Sequence, residues 1–98
     1  MRVGKIINVM THEQARKPMY IVTVDLGEGI GIRTIVAGIR DQYKPEELVG
    51  KLIVCIVNLQ PKNVAGIESQ GMLLAAEDNG VISLLTPSRE VKPGSKVS

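Results

Sequence analysis

The sequence predicts an all-β fold, a small Greek-key barrel with a single short helix. Three observations support this prediction. Short segments rich in Val and Ile recur along the chain, turn-forming residues separate them, and one segment alone has the start and stop signals of a helix. With 98 residues, the chain is long enough for one hydrophobic core, and we expect a single domain over residues 1–98.

Six segments are expected to form strands because Val, Ile and Leu dominate them. In chain order they are Val3–Met10, Met19–Leu26, Ile32–Ala37, Lys51–Asn58, Met72–Glu77 and Val81–Leu85. The pair Asn79-Gly80 separates the last two segments, and Asn-Gly between apolar runs is a strong hairpin signal. The tail over residues 86–98 contains Pro and Gly and is expected to be irregular, with short pairing at most.

The segment Pro45–Gly50 predicts the helix. Proline stands in the first turn, Glu46 and Glu47 lie at the positive end of the helix dipole, and glycine marks the end. The helix falls between the third and fourth strands, which is its place in the OB-fold, a five-stranded and partly open barrel. We therefore predict an OB-fold, a five-stranded Greek-key barrel with an irregular C-terminal extension.

The polar segment from Asn58 to Met72 is the strongest candidate for a binding site. It is longer than the usual connection of ~4–6 residues, and binding groups concentrate in loops on rigid scaffolds. From the pattern alone, a solvated strand connector is an equally good interpretation. In an OB barrel, the loops after the first and fourth strands flank the ligand-binding face. The first of these loops carries Arg16 and Lys17, and the second carries Lys62.

Several residues that could suggest catalysis or metal binding are better explained otherwise. Gly27, Gly29 and Gly31 precede a strand rather than a helix, which favours a hairpin turn over a phosphate-binding loop. His12, the single histidine, has no ligand spacing around it and is expected at the surface of a loop. No serine lies in a nucleophile-elbow context, and Cys55 is expected to be a buried reduced thiol. We expect no catalytic residues, no metal and no cofactor.

Charge and aromatic content limit the class of ligand. The net charge of +2 and the isoelectric point near 8.9 are compatible with a nucleic-acid partner. Tyr20 and Tyr43 are the only aromatic residues, so a platform for stacking successive bases is excluded. A nucleic acid would be recognised by shape and phosphate contacts, as folded RNA often is. The lack of a signal peptide and of an apolar run of ~20 residues predicts a cytoplasmic protein without membrane contact.

The central segment also resembles a known family. Asn58-Leu-Gln-Pro-Lys62 followed by Gly66-Ile-Glu-Ser69-Gln-Gly-Met72-Leu-Leu-Ala is similar to the signature of the tRNA-binding OB domain family. This family includes structure-specific tRNA-binding proteins, the beta subunit or C-terminal domain of methionyl-tRNA synthetase, and CsaA-type export chaperones. Shorter matches from the first strand to the tail extend the resemblance over nearly the whole chain.

Two branches of the family are represented. His12–Pro18 and Val64–Gly66 resemble the CsaA branch, whereas Ser69–Ala76 resembles the tRNA-binding branch. Asn63 stands where many members have a second basic residue, a departure that would weaken phosphate attraction. The chain also starts almost at the first strand, without the upstream residues common in the family.

The resemblance implies that a homodimer binds tRNA without catalysis. The residues it implies as RNA contacts are Arg16, Lys17, Asn58, Lys62, Ser69, Gln70 and Met72. The basic side chains would contact phosphates, Ser69 would donate to the RNA backbone, and Met72 would pack on exposed bases. The alternatives are a core position for Met72, and loop-capping hydrogen bonds to the backbone for Ser69 and Asn58.

Two other partners remain open under the same resemblance. The domain could act as a trans-acting appendage of methionyl-tRNA synthetase. It could instead be a CsaA-like chaperone that binds unfolded peptides, an alternative suggested by Ala15–Pro18 in the first loop.

Overall fold

The computed structural model describes residues 1–98 as nine strands and one short helix. In chain order the elements are β1 (Arg2–Thr11), β2 (Tyr20–Asp25), β3 (Ile32–Ala37), α1 (Pro45–Leu48), β4 (Leu52–Ile56), β5 (Lys62–Val64), β6 (Ile67–Ser69), β7 (Met72–Leu73), β8 (Ala75–Asp78) and β9 (Val81–Leu84). Five strands form an antiparallel sheet in the order β3-β2-β1-β4-β7, while β5–β6 and β8–β9 are separate hairpins. The predicted all-β class and the hairpin across the glycine turn between β2 and β3 are confirmed.

The core is built from side chains that alternate along curved strands. In β2, Tyr20, Val22 and Val24 are buried, whereas the residues between them are half-buried. Strand β1 pairs with β4 through its first half and with β2 through its second. A register shift between Ile6 and Asn8 bends the strand between these two partners. This bend allows one strand to pass around the barrel.

The helix α1 packs against the barrel and ends at Leu48 rather than at Gly50. Its N-cap is Lys44, whose backbone N–H donates to the Glu47 carboxylate at 3.4 Å. Leu48 is fully buried in the core. Gly50 has a φ of 89° and donates its N–H to the Ile6 carbonyl at 2.7 Å, which attaches the helix end to β1. No helix of the structure has the length and apolar character needed to cross a membrane.

The segment between β4 and β7, predicted as a loop, contains the β5–β6 hairpin. Its turn, Ala65-Gly66, has a positive φ at both residues, 49° and 92°, as in a type I′ turn. The Asn63 carboxamide oxygen holds the turn by accepting the Gly66 N–H at 3.0 Å. Alanine at the first turn position carries none of the usual sequence signal for a positive φ, so the pattern did not indicate this hairpin.

The predicted strand Met72–Glu77 is divided into β7 and β8 at Leu74. The Leu74 N–H donates to the Val54 carbonyl at 3.0 Å, and its carbonyl accepts the Leu85 N–H at 3.0 Å. At this residue the chain therefore changes from pairing with β4 to pairing with β9. The Asn-Gly turn between β8 and β9 has positive φ values of 50° and 82°, and the predicted hairpin is confirmed.

The C-terminal tail returns to the first strand. The Gly94 N–H donates to the Val3 carbonyl at 2.6 Å, and the Val3 N–H donates to the Ser95 carbonyl at 2.9 Å. The tail also lies against the turn after β2, since a Cβ added to Gly27 would come within 2.5 Å of the Pro93 carbonyl oxygen. The tail is thus irregular with a short pairing, as predicted.

Candidate nucleic-acid interface

His12 joins the two loops that were predicted to flank the ligand face. Its side chain is only 3% exposed, and its Nε2 lies 2.8 Å from the Val64 carbonyl oxygen in the β5–β6 hairpin. Because a carbonyl can only accept, the geometry assigns a proton to Nε2. The prediction of a surface histidine is therefore wrong. Its polar neighbours in sequence gave no indication of a partner 52 residues away.

Ser69 and Gln70 close the barrel against the outer edge of β3. The Ser69 hydroxyl accepts the Val36 N–H at 3.0 Å and donates to the Gly71 carbonyl at 3.2 Å. The Gln70 side-chain oxygen accepts the Thr34 N–H at 2.9 Å, and the Gln70 N–H donates to the Thr34 carbonyl at 2.8 Å. Side-chain oxygens therefore occupy positions that backbone carbonyls of another strand would fill. Direct RNA contacts by these two side chains stay predictions.

Arg33 strengthens this closure from β3. Its guanidinium donates to the Val57 carbonyl and, at 3.2 Å, to the Gln70 carbonyl. A charge-assisted bond of this kind is stronger than a neutral one. Arg33, one of the twelve cationic side chains, therefore has a structural role in the barrel. Nothing in its sequence context indicated this role.

An exposed groove of about 470 Å³ lies between β3, the β5–β6 hairpin and β7. Its lining is mainly apolar and includes Met19, Leu59 and Met72, with Gln60 and Lys62 at the polar side. Met72 is 54% exposed and Leu59 is 44% exposed. Met72 is therefore a surface residue and not a core residue, which removes the alternative explanation for it.

The predicted basic residues are all exposed on the two contacting loops. Lys62 begins β5, and Arg16 with Lys17 lies in the β1–β2 loop. A recess of about 400 Å³ beside this loop is lined by Arg16, Lys17, a further cation, Arg40, and the acid Asp41. Arg40 follows β3 in sequence and was missed, because only the fold brings it to the β1–β2 loop.

The two asparagines of the central segment differ in their surroundings. Asn58 is exposed just beyond β4. The loop-capping hydrogen bond that was an alternative role for Asn58 is made instead by Asn63, which accepts the Gly66 N–H. The departure from a basic residue at position 63 thus has a structural use in the hairpin turn.

Both tyrosines are used inside the molecule. The Tyr20 hydroxyl donates to the Tyr43 carbonyl at 2.8 Å, and the Tyr43 hydroxyl accepts the Leu84 N–H at 3.0 Å.

Cys55 is fully buried, and desolvation raises the pKa of its thiol to about 12. The thiol is therefore neutral near pH 7, in agreement with the predicted buried reduced cysteine.

A partly open antiparallel barrel, with one short helix between its third and fourth strands and two contacting loops beside an exposed groove, has the architecture of the OB-fold class. Comparison with known families agrees with this class. The family described as "Putative tRNA binding domain" matches residues 1–96, and the chain belongs to this family.

Individual relatives come from two groups. Methionine–tRNA ligase of Pyrococcus horikoshii is 55% identical over 97 residues, which are 99% of this chain and 13% of the ligase. The crystal structure of the CsaA chaperone protein from Picrophilus torridus has a TM-score of 0.94 and 36% identity, covering 99% of this chain and 89% of that one. The MetRS-related protein from Pyrococcus horikoshii has a TM-score of 0.88 and 41% identity, covering 99% and 87%. The predicted OB-fold and family are confirmed.

Proposed function

We propose that this chain binds folded tRNA and catalyses no reaction. The observation that carries the proposal is the hydrogen bond from the buried His12 to the Val64 carbonyl, which fixes the loop that carries Arg16 and Lys17 against the hairpin that carries Lys62, beside an exposed groove. Fixed positive charges can contact phosphates at defined positions on a folded RNA, and these contacts can recognise its shape. Membership of the tRNA-binding family supports the same ligand.

The proposed contacts divide into charged and uncharged groups. Arg16, Lys17 and Lys62, with Arg40 added from the structure, contact phosphates. The exposed Met72 packs on unstacked bases at the edge of the groove.

The remaining three residues have different proposed roles. Asn58 is exposed and contacts a base or ribose. For Ser69 and Gln70 we propose an indirect role, because their side chains hold the backbone that leads to Met72.

The proposed assembly is a homodimer in the cytoplasm, where tRNA is present. The β8–β9 hairpin supports a protein partner because all four residues of β8 are exposed, as are the apolar residues Val81 and Leu85. A trans-acting association with methionyl-tRNA synthetase is a further proposed partnership, supported by the similarity to methionine–tRNA ligases. Light scattering of the purified chain, alone and with the synthetase, tests both.

The tRNA proposal is tested by gel-shift titration of folded tRNA against single-stranded RNA of equal length. We expect tighter binding of the folded tRNA and a steep fall in affinity as salt rises. Arg16→Gln/Lys62→Gln should weaken binding, whereas Lys44→Gln/Lys96→Gln removes the same charge elsewhere and serves as control. Equal affinity for both RNAs, or no binding at low salt, would refute the proposal.

A second candidate function is a CsaA-like chaperone that binds unfolded peptides. The largely apolar lining of the groove favours it, since Met19, Leu59 and Met72 could contact apolar peptide side chains. Suppression of aggregation of a denatured client is the measurement. Met72→Ala should then reduce protection of the client, and an unchanged protection would argue against the groove as a peptide site.

A further inference from the structure

The C-terminal tail passes over one face of the barrel as a strap that is attached at both ends. At the first end, the Leu85 carbonyl accepts the Val54 N–H at 3.1 Å. At the second end, the Gly94 N–H donates to the Val3 carbonyl at 2.6 Å. Residues 86–92, which we call the strap, lie between these attachments. An open groove of about 1020 Å³ separates the strap from the barrel, and we call it the strap groove.

The strap groove is rich in positive charge. Its four cationic side chains, two from the barrel and two from the strap, are Lys5, Lys51, Arg89 and Lys92. Two acids, Asp25 and Glu90, also line it. The Asp25 carboxylate already accepts the Gly27 N–H at 2.9 Å. One third of the twelve cationic residues of the chain therefore face one groove, although the net charge of the whole chain is only +2.

The positions of these cations suit an extended anion. Lys5 on β1 and Lys51, which directly precedes β4, both line the groove from the barrel side. The Lys51 ammonium lies 5.5 Å from the centroid of the Tyr43 ring, a cation–π contact that orients it. The strap adds the hydroxyl donors of Thr86 and Ser88. Cations on two walls, with neutral hydroxyl donors on one of them, are the groups that bind phosphodiester oxygens.

We propose that the strap groove is a second contact surface for RNA phosphates, separate from the interface formed by the two joined loops. This inference rests on the proposed function, because the ligand is the same folded RNA. No residue that lines the strap groove lines the groove beside Met72. The domain is 34 Å in its longest dimension, so a folded RNA that extends beyond this length can contact both surfaces.

The test compares two double variants that remove the same charge. Lys5→Gln/Arg89→Gln removes one cation from each wall of the strap groove, and Lys44→Gln/Lys96→Gln removes two exposed cations outside both surfaces. We expect the strap-groove variant to bind folded tRNA ~10-fold more weakly than the control variant in low salt, and its salt slope to fall by about 2. Thermal melting of both variants checks that each is folded.

A footprint locates the contact independently of substitution. In the wild-type chain, acetylation of Lys5 and Lys92 is measured by mass spectrometry with and without tRNA, with Lys44 as the internal reference. Protection of Lys5 and Lys92 but not of Lys44 supports the inference. Protection of neither residue overturns it.

The outcomes separate this inference from the proposed function. If the wild-type chain fails to bind tRNA, both fail. If Arg16→Gln/Lys62→Gln weakens binding while the strap-groove variant binds as tightly as Lys44→Gln/Lys96→Gln, the tRNA interface stands and the strap groove is no part of it. If the strap-groove variant loses affinity equally for tRNA and for heparin, and tRNA does not protect Lys5 and Lys92 in the wild-type chain, the effect is general charge attraction, and the inference is overturned.

Discussion

Two hairpins project from the barrel, and they have nearly the same turn but different attachments. Ala65-Gly66 in β5–β6 and Asn79-Gly80 in β8–β9 both have positive φ at both turn residues. The β5–β6 hairpin is attached by buried groups, through His12 to Val64 and through Ser69 to β3. The β8–β9 hairpin is attached near its tip by two exposed hydrogen bonds with the Gln42 side chain, which donates to the Gly80 carbonyl and accepts the Ile82 N–H.

This difference shows how one local motif serves two purposes. A turn with the Asn-Gly sequence is stable by local preference, so the turn of β8–β9 needs little support from the rest of the molecule, although Leu84 at the other end of the hairpin is buried in the core. The Ala65 turn has an unfavourable φ and depends on contacts that the barrel supplies. Because those contacts also join the basic β1–β2 loop, the less favourable turn is part of the candidate interface.

The largest effect is expected from breaking the buried attachment. His12→Ala removes the bond to the Val64 carbonyl and leaves this acceptor without its partner, at a cost of about 2–3 kcal/mol in the free energy of unfolding. Chemical denaturation measures it. The matched change in the other hairpin, Gln42→Ala, removes exposed bonds and should cost less than about 1 kcal/mol. Equal costs would show that both hairpins are attached alike.

A smaller effect is expected at the barrel closure. Ser69→Ala removes the acceptor of the Val36 N–H and should lower the free energy of unfolding by about 1–2 kcal/mol. Ser83→Ala in β9, where the side chain is exposed, is the control and should change stability by less than about 0.5 kcal/mol. Urea unfolding of both variants provides the comparison. If Ser69→Ala leaves the free energy of unfolding unchanged, a water molecule must accept the Val36 N–H in place of the hydroxyl.

The same substitution in the two turns separates stability from binding. Gly66→Ala and Gly80→Ala each place a Cβ at a positive φ, 92° and 82°, and each should cost about 1 kcal/mol. Only Gly66→Ala should also weaken tRNA binding, because its turn belongs to the hairpin joined to the β1–β2 loop. Gel-shift titration at a temperature where both variants are folded measures this. Equal binding by the two variants would contradict the proposed interface.

The smallest expected effect is an increase in stability. Ala65→Asn places a residue that tolerates positive φ at 49° and should raise the free energy of unfolding by about 0.5–1 kcal/mol. Asn79→Ala, the reciprocal change at a φ of 50°, should lower it by a similar amount. Thermal unfolding of the two variants tests whether they shift the melting temperature in opposite directions. A loss of stability in Ala65→Asn would show that its methyl group has a packing role.

The two hairpins also show what the sequence could predict. The Asn-Gly turn was predicted because its signal lies in adjacent residues. The β5–β6 hairpin was missed because Asn63 and His12 stabilise its turn, and one of these is 52 residues from its acceptor. The order of strands and helix was enough to predict the barrel. The signals that identify these elements, apolar periodicity and the residues Pro45 and Gly50, lie within each segment and need no distant partner.

The candidate site was predicted to a similar extent. The barrel topology placed Arg16, Lys17 and Lys62 on two neighbouring loops, and the structure places all three at the surface. Arg40 was missed because its proximity to Arg16 arises from the folded path of β3. Hydrogen bonds from Ser69 to the backbone were one of the two predicted roles of this residue, but its partner Val36 is 33 residues away in sequence and is brought close only by the fold.

The closure by Ser69 and Gln70 has a consequence for the order of folding. The Ser69 bond to β3 spans 33 positions of the sequence and the Gln70 bond spans 36. The β2–β3 and β8–β9 hairpins, by contrast, form from neighbouring segments. Contacts that require long loop closure and precise side-chain placement are expected after the transition state. Removing them should accelerate unfolding and leave the refolding rate nearly unchanged. The side chains that close the barrel would then set how long the native state lasts rather than how fast it forms.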